Sequence, residues 1–346
     1  MPQPSIHVLM TGAGAPGAPG ILKCLRQEKD WTITLADADA EAKGKFLHDR
    51  FFQIPPANAP LFIQSLLELC EKNKINVILP LVTKELIPLA LHKEDFEKKG
   101  IHVLVSAASS LEIANDKGKT FQFLEWRGVV IPSFRIVENL EQFTEAVKEL
   151  GYPEKEICFK PCVSNGSRGF RILSGKMNEL DLLFNYKPSA GYIQPDEARR
   201  ILASGKFPEL LLMEYLPGDE YSVDCLADHG ATVLAVPRLR KKMINGISVE
   251  GEIIQDHLIM EYCRQIIAAL QLHGNIGIQV KRSASGIPLL LEINPRVQGT
   301  ISACLGAGVN LPVLAIRQVM GIGTDPTGIP IKWGTRFSRY WEDVFH

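Results

Sequence analysis

The chain is predicted to have an α/β fold, with a parallel sheet in its first third and antiparallel, α+β hairpins in the remainder. Short apolar runs alternate with helical patterns up to residue 105, which implies right-handed βαβ units and a parallel sheet. From residue 157 onward, strand-like runs follow one another across short turns, as in antiparallel hairpins. With 346 residues, of which 46% are hydrophobic, the chain suits two or three domains rather than one core.

The first third contains apolar runs of strand length separated by segments with helical periodicity. Strands are predicted at residues 6–10, 31–35, 77–80 and 101–105, with helices at 20–28, 61–72 and 86–91. Residues 80–85 close one of the βα turns, where the carboxyl ends of parallel strands usually form ligand sites. This turn either helps to select a substrate or is simply a helix N-terminus in which Glu85 complements the dipole.

The remaining two thirds change in pattern. One or two short helices are predicted within 109–126, strands at 157–160 and 169–173, and a helical, loop-rich stretch at 175–204. An antiparallel meander is predicted over 210–213, 221–227 and 231–237, followed by a helix at 253–272, a hairpin of 275–282 with 287–293, and a helix at 309–320.

Composition and charge exclude several functional classes. The net charge is −1 and the pI is about 6.7, which provides no electrostatic case for nucleic acid or for an anionic membrane. Seven scattered cysteines without a CxxC pair favour a reduced setting over a disulfide framework. No apolar run approaches membrane-spanning length and no signal-peptide pattern opens the chain, so we expect a cytoplasmic protein.

A glycine-rich loop follows the first predicted strand. Gly12, Gly14 and Gly17 satisfy the pattern G-x-G-x-x-G, and Asp37 follows at the end of the second strand. This spacing is typical of dinucleotide binding, where glycines let the backbone approach a pyrophosphate and the acid holds a ribose. The alternative is a tight strand-to-helix turn that keeps its glycines for packing alone. An NAD-dependent oxidoreductase is therefore one hypothesis, although it leaves the polar positions described next unexplained.

Gln279, Glu292 and Asn294 interrupt otherwise apolar strand-like runs near the C-terminus. Burying such oxygens is costly unless they bind something, and hard divalent cations prefer oxygen ligands. If residue 283 opposes 288 in a hairpin, then 279 opposes 292, and alternation places residues 292 and 294 on the same face. The pattern predicts a Mg²⁺ (or Mn²⁺) site rather than a closed zinc site. The planar guanidinium of Arg296 suits an acyl phosphate or a substrate carboxylate.

Three further motifs precede this site, namely Asn115-Asp116-Lys117-Gly118-Lys119, Phe159-Lys160-Pro161 with the glycine- and serine-rich residues 164–169, and Met213 to Asp224. In this order the four motifs resemble the ATP-grasp superfamily, especially members similar to the carbamoyl phosphate synthase large chain and to the pyrrolysine-biosynthesis ligase. The resemblance implies a Rossmann-like pre-ATP-grasp domain at 1–108, a small lobe with a phosphate lid at 109–210, and a large lobe with the Mg-ATP site at 211–346.

The resemblance also implies roles for individual residues. Lysines contact the phosphates, the loop with Ser167 forms a mobile lid, the segment after Met213 reads the adenine edge, and Glu220 holds the ribose. The implied ATP-binding residues are Lys117, Lys160, Ser167, Glu214, Tyr215, Leu216 and Glu220. The candidate catalytic residues are Arg296, Arg238 and Arg240.

The activity implied is that of an ATP-dependent carboxylate–amine ligase, which uses Mg-ATP and proceeds through an acyl phosphate. Its partners are small-molecule substrates, with neither nucleic acid nor membrane, and the resemblance is compatible with a homodimer. One alternative is a carbamoyl-phosphate-synthase-like kinase of bicarbonate or carbamate, although such large chains contain two ATP-grasp halves and this chain holds one. The other alternative is a non-catalytic, ATP-binding regulatory module.

Overall fold

The first part of the chain forms a five-stranded, fully parallel sheet with strand order β3-β2-β1-β4-β5. A computed structural model describes residues 5–48, 50–164, 168–176, 178–185, 191–244, 246–323 and 325–345. The central strands are apolar on both faces because helices cover both sides of the sheet. The elements are β1 (His7–Thr11), α1 (Ala18–Leu25), β2 (Thr32–Asp37), β3 (Phe51–Gln53), α2 (Phe62–Asn73), β4 (Val77–Pro80), α3 (Thr83–Leu91), α4 (Lys93–Glu97) and β5 (His102–Val103).

A second five-stranded sheet, of order β6-β10-β7-β8-β9, follows two short helices. It is antiparallel except for the parallel pair β8 and β9. The elements are α5 (Ala108–Ala114), α6 (Lys117–Trp126), β6 (Phe134–Val137), α7 (Leu140–Glu149), β7 (Ile157–Pro161), β8 (Arg171–Leu173), α8 (Glu179–Phe184), β9 (Tyr192–Ile193), α9 (Pro195–Leu202) and β10 (Leu210–Glu214).

A third sheet of six antiparallel strands has the order β15-β14-β11-β12-β13-β16. Helix α10 begins with Asp256 as its N-cap, whose side chain accepts from the amide of Ile259. The elements are β11 (Glu220–Asp228), β12 (Ala231–Ile244), β13 (Ile247–Ile253), α10 (His257–Leu270), β14 (Gly274–Arg282), β15 (Pro288–Asn294), α11 (Ser302–Gly306), α12 (Leu311–Val319) and β16 (Arg336–Ser338).

The predicted α/β class with parallel and then antiparallel sheets is confirmed, but some elements differ. Residues 210–213 were expected to join the meander of 221–227; instead β10 pairs with β6 and β7 in the second sheet. The predicted helix at 253–272 begins only at His257, because Ile247–Ile253 forms strand β13. The pattern missed β3, β6, β9 and β16, since short or edge strands carry little periodic signal. It also missed β13, an interior strand of seven residues. No helix in the described ranges has the length and apolarity needed to cross a bilayer.

The first sheet and the third part of the chain share one apolar core. Ile21 and Leu22 of α1 belong to the same buried cluster as Val309 and Leu311. At the edge of this contact the backbones meet directly, because a Cβ added at Gly17 would lie 2.2 Å from the Cα of Gly299. A glycine is therefore required at position 17 for packing, and the glycine-rich loop is closed against the third part of the chain.

Gly17→Ala is expected to lower the free energy of unfolding by about 1–3 kcal/mol, the usual effect of forcing extra volume into a packed interior. Gly205→Ala is the matched control, because a Cβ at Gly205 meets nothing within 4 Å. That control should stay within about 0.5 kcal/mol of the parent. Urea denaturation of the three proteins measures the difference, and equal midpoints would contradict the assigned close approach.

Candidate functional site

One face of the third sheet carries a dense group of polar side chains. Residues directly opposite each other in an antiparallel pair share a face, as do residues two apart on one strand. Ser222 opposes both Arg238 and Gln279, and Gln279 opposes Glu292, so four adjacent strands contribute to one polar row. The other side chains on this face are Glu220, Asp224, Arg240, Lys281 and Asn294.

A β-bulge aligns Gln279 with Glu292. The strands pair Gln279 with Glu292 as predicted, but Val280 pairs with Leu290 and Arg282 with Pro288, leaving Leu291 as the extra residue. The expected pairing of 283 with 288 was therefore wrong. The pairing of Arg282 with Pro288 at the turn, continued without a bulge, would place Gln279 opposite Leu291. The additional residue restores the alignment and re-aims the strand, as bulges often do at functional sites.

Two lysines from the second part of the chain reach this face. The Nζ of Lys160, at the end of β7, donates to the carbonyl oxygen of the bulged Leu291 at 2.7 Å. The Nζ of Lys117, in the first turn of α6, lies 3.9 Å from Glu292 Oε2 and donates to the carbonyl oxygen of Ser164 at 2.8 Å. Burial lowers the pKa of Lys160, while the charge of Glu292 opposes that shift.

A small cavity of about 20 Å³ lies where the three parts of the chain meet. Its size suits an ion or a water molecule. Asn294 Nδ2 donates to Glu292 Oε1 at 3.3 Å, so these two predicted ligands are in direct contact. Among the described residues, Asn115 Oδ1 is buried and has no hydrogen-bond partner. The cavity is lined by Thr83, Ala114, Asn115, Lys117, Ser164, Glu292, Ile293, Asn294 and Pro295.

Arg240 connects Gln279 to Glu220. Its Nη1 donates to Gln279 Oε1 at 3.0 Å and also to Glu220 Oε1. Its Nε donates to Ser248 Oγ at 3.0 Å, which fixes the guanidinium plane. Burial lowers the pKa of Arg240, and Glu220 is the largest opposing influence. A buried cation therefore lies beside the predicted metal ligands.

Arg238 has a different environment. Its side chain is 0% exposed and its Nη2 lies 3.0 Å from Oδ2 of Asp224, which is also 0% exposed. Within the described part of the chain, Asp224 Oδ1 and Arg238 Nη1 have no hydrogen-bond partner. The structure thus buries Arg238 completely, although it lies on the same face of the sheet as Arg240. Its catalytic role stays a prediction.

Arg296 links the polar face to the first sheet. Its Nε donates to Thr83 Oγ1 at 3.1 Å, in the first turn of α3, and its Nη2 donates to Asn294 Oδ1 at 3.4 Å. Burial lowers the pKa of this guanidinium, and Glu292 opposes the shift. The segment 80–85 therefore borders the candidate site, as one of the two sequence interpretations expected.

The predicted adenine-binding segment runs from β10 into the loop before β11. Glu214 Oε1 accepts from the amide of Ser133 at 2.9 Å, and Leu216 is buried. Lys281 Nζ lies 4.3 Å from the centre of the Tyr215 ring. Sequence reasoning missed Lys281, although its position two residues after Gln279 places it on the same face. Ser167 lies outside the described residues.

The glycine-rich loop makes its contacts within the protein. The amide of Gly14 donates to Asp37 Oδ2 at 2.7 Å, and Asp37 Oδ1 accepts from the amide of Asp39 at 2.9 Å. Both carboxylate oxygens of Asp37 are thus occupied by the backbone, and Gly17 packs on Gly299. These contacts favour the packing interpretation of the loop over the dinucleotide interpretation.

Two family models match the chain. The model described as "PylC-like, N-terminal domain" matches residues 8–104, and the model described as "ATP-grasp in the biosynthetic pathway with Ter operon" matches residues 206–337. The carbamoyl phosphate synthase large chain of Clostridium acetobutylicum is 24% identical over 274 residues, which are 75% of this chain and 24% of that protein. The chain thus spans about a quarter of the length of the curated relatives it matches.

Solved structures share the fold at low identity. The ADP complex of N5-carboxyaminoimidazole ribonucleotide synthetase superposes with a TM-score of 0.70 at 18% identity, covering 95% of this chain and 80% of that chain. L-amino acid ligase from Bacillus licheniformis superposes with a TM-score of 0.62 at 14% identity, covering 92% and 75%. Because these likenesses extend over nearly the whole chain, all three sheets belong to the shared architecture.

Glu85, two residues after Thr83 in helix α3, has a buried carboxyl group. Glu85 accepts a hydrogen bond from the hydroxyl of Thr11, and burial raises the pKa of Glu85 from 4.5 to about 7. The folded chain therefore holds this proton more tightly than the unfolded chain. Between about pH 4.5 and 7 the stability contributed by the group is lost as the pH rises, and above that range the loss is complete.

Glu85→Gln is expected to remove this loss, because the amide keeps the size of the side chain and does not ionise. The free energy of unfolding of the parent should fall by about 3 kcal/mol relative to the variant between pH 4 and pH 8. Chemical denaturation across this range measures the difference, with the exposed Glu125→Gln as the control. Parallel profiles for the parent and Glu85→Gln would contradict the raised pKa.

Proposed function

Because the chain belongs to the ATP-grasp superfamily, we propose that it is an ATP-dependent carboxylate–amine ligase that acts through an acyl phosphate. The observation that carries the proposal is the alignment of Gln279, Glu292 and Asn294 on one face, beside Lys117 and Lys160. Oxygen ligands next to one buried and one partly buried ammonium group form the environment that phosphoryl transfer requires, since that chemistry depends on positioning and charge stabilisation.

The donor set fits Mg²⁺. Gln279, Glu292 and Asn294 supply two amide oxygens and one carboxylate, which suit a hard cation that shares its coordination with phosphates. A zinc site would instead use histidine or cysteine, and neither residue type lines the cavity. When bound, Mg²⁺ supplies charge neutralisation at the phosphate oxygens of ATP. Mn²⁺ prefers similar oxygen ligands and is expected to substitute.

The nucleotide is assigned to the cleft between the second and third sheets. Lys117 and Lys160 hold phosphate oxygens, and Ser167 belongs to the loop that covers them. Leu216 offers backbone groups to the adenine edge beside Glu214 and Tyr215, while Glu220 faces the ribose. The contact of Lys281 with the Tyr215 ring supports the inclusion of Lys281 near the base.

The reaction proposed has two steps. A substrate carboxylate attacks the γ-phosphorus of ATP, which releases ADP and forms the acyl phosphate; the amine nitrogen then attacks the acyl carbon, loses a proton, and phosphate leaves. Arg240 and Arg296 stabilise negative charge through their planar guanidinium groups. Arg238 is a positioning residue in this scheme, because its contact with Asp224 supports the strand that carries Arg240.

The substrates proposed are a small-molecule carboxylate and an amine, and the fold shared with an L-amino acid ligase supports amino acids as the first candidates. All seven cysteines lie in the described part of the chain and are free and buried, which supports a reduced, cytoplasmic setting. We also propose a homodimer, and a division into a pre-ATP-grasp domain at 1–108, a small lobe at 109–210 and a large lobe at 211–346.

A second candidate function is phosphorylation of bicarbonate or carbamate. It is favoured by the similarity to carbamoyl phosphate synthase large chains, although that similarity covers only a quarter of their length. Both candidates use the same Mg-ATP site and differ only in the acceptor.

Glu292→Ala is expected to reduce Mg-dependent ATP turnover at least about 100-fold, because it removes the carboxylate among the proposed metal ligands. Circular dichroism should show an unchanged fold. The exposed Glu125→Ala is the matched carboxylate control and should retain parental turnover. Unchanged turnover in Glu292→Ala would refute the ligand assignment.

ADP release measured against pairs of carboxylates and amines tests the proposed reaction. We expect turnover that requires both partners, with an amide and phosphate as the other products. ADP release with bicarbonate alone would favour the second candidate, and ATP binding without turnover on any acceptor would favour a regulatory module. In a thermal-shift assay, Mg-ATP should raise the melting temperature of the chain, whereas NADH, the control ligand, should leave it unchanged.

A further inference from the structure

A second polar cluster lies far from the ATP site, at the opposite end of β11. Asp228 ends β11 and His229 begins the turn to β12, whereas Glu220 begins β11 beside Gln279. Eight residue steps at about 3.4 Å separate Glu220 from Asp228, so the two ends are roughly 27 Å apart. His273, in the connection between α10 and β14, lies against this turn.

The three side chains converge on one point. His273 Nδ1 is 3.4 Å from Asp228 Oδ1, and His229 Nε2 is 4.0 Å from the same oxygen. One ligand atom from each residue lies within 4.8 Å of the other two. Ligands held at about 2.0–2.1 Å around a tetrahedral zinc ion are roughly 3.4 Å apart, which is close to these separations. The His229 ring stacks on the His273 ring with centroids 4.1 Å apart, so it has to rotate out of the stack to share an ion, and its 74% exposure leaves room for that rotation.

The backbone around the cluster is held in place from several directions. The amide of His273 donates to Ser106 Oγ at 2.9 Å, and that buried hydroxyl donates back to the His273 carbonyl at 3.1 Å. His229 has a left-handed backbone with φ of +43°, an uncommon conformation for a residue with a side chain. The amide of Gly230 donates to the Leu272 carbonyl at 2.8 Å, which ties the turn to the segment before His273.

The chemistry of the cluster suits a metal of intermediate softness. His273 Nδ1 accepts a long hydrogen bond from the amide of His229 at 3.4 Å, so this nitrogen is unprotonated and a metal would take over the lone pair that the amide now engages. Lys93, the neighbouring cation, lies 3.8 Å from Glu97, which offsets its charge. Two imidazoles and one carboxylate are a common ligand set for zinc.

We propose that Asp228, His229 and His273 bind a divalent first-row transition metal, with Zn²⁺ as the best match and water in the remaining position. The site is independent of the Mg-ATP centre. The ion would fasten the β11–β12 turn to the segment that contacts Ser106 at the end of the first sheet. Its expected role is to stabilise the junction between the first and third parts of the chain.

Zinc titration of the full-length chain by calorimetry tests the proposal, with His229→Asn as the diagnostic variant. Asparagine tolerates the left-handed backbone and lacks the imidazole, so the variant should fold. The parent should bind one Zn²⁺ at this site, and His229→Asn should weaken that binding at least about tenfold. Zinc should also raise the melting temperature of the parent, by roughly 2–4 °C for each kcal/mol by which bound zinc stabilises the fold. It should not raise the melting temperature of His229→Asn.

His257→Ala, which removes another exposed histidine, is the matched control and should behave as the parent does. Glu292→Ala separates this site from the Mg-ATP centre and should retain zinc binding. The proposal is overturned if the parent binds no zinc, if His229→Asn binds zinc as tightly as the parent, or if Glu292→Ala removes the binding.

Discussion

Lys160 reaches from the second sheet to the third and donates to the carbonyl oxygen of Leu291, the bulged residue of β15. The bulge is what brings Glu292 opposite Gln279, and the lysine occupies the carbonyl that the irregular pairing leaves available. The alignment of the proposed metal ligands and the contact between the two sheets therefore depend on the same few atoms. Lys160 is buried, so a shift in either sheet would also disturb the environment of its charge.

The candidate site brings the cations Lys117, Lys160, Arg240 and Arg296 close to two carboxylates, Glu220 and Glu292. Burial lowers the pKa of Lys160, Arg240 and Arg296, which shows that each cation loses hydration in the folded chain. Bound phosphate groups would compensate for this loss, because charge interactions strengthen where water is excluded. The same cost explains why Glu220 and Glu292 lie among these cations.

The first sheet packs against the third part of the chain and borders the candidate site. The backbone of Gly17 lies directly against the backbone of Gly299, and the Thr83 hydroxyl accepts a hydrogen bond from Arg296. The carboxyl ends of the parallel strands therefore face the polar row of the third sheet. This contact uses the glycine-rich loop for packing. The hydrogen bonds of Arg296 to Thr83 and to Asn294 place the start of α3 directly beside the candidate site.

The sequence by itself determined the alternation of strands and helices, the oxygen-bearing side chains of the hairpin and the lysines upstream, because periodicity and residue chemistry are local properties. It placed Gln279 opposite Glu292 through a turn that the structure does not have. Only the tertiary structure decided that a bulge at Leu291 sets that pairing, and that β10 leaves the meander for the second sheet. It also decided that Arg238 is fully buried against Asp224, whereas Arg240, on the same face, contacts Gln279. It alone also brought Asp228 and His229 to His273. These outcomes depend on contacts between residues distant in sequence, whose partners are chosen by packing and by the burial of charge.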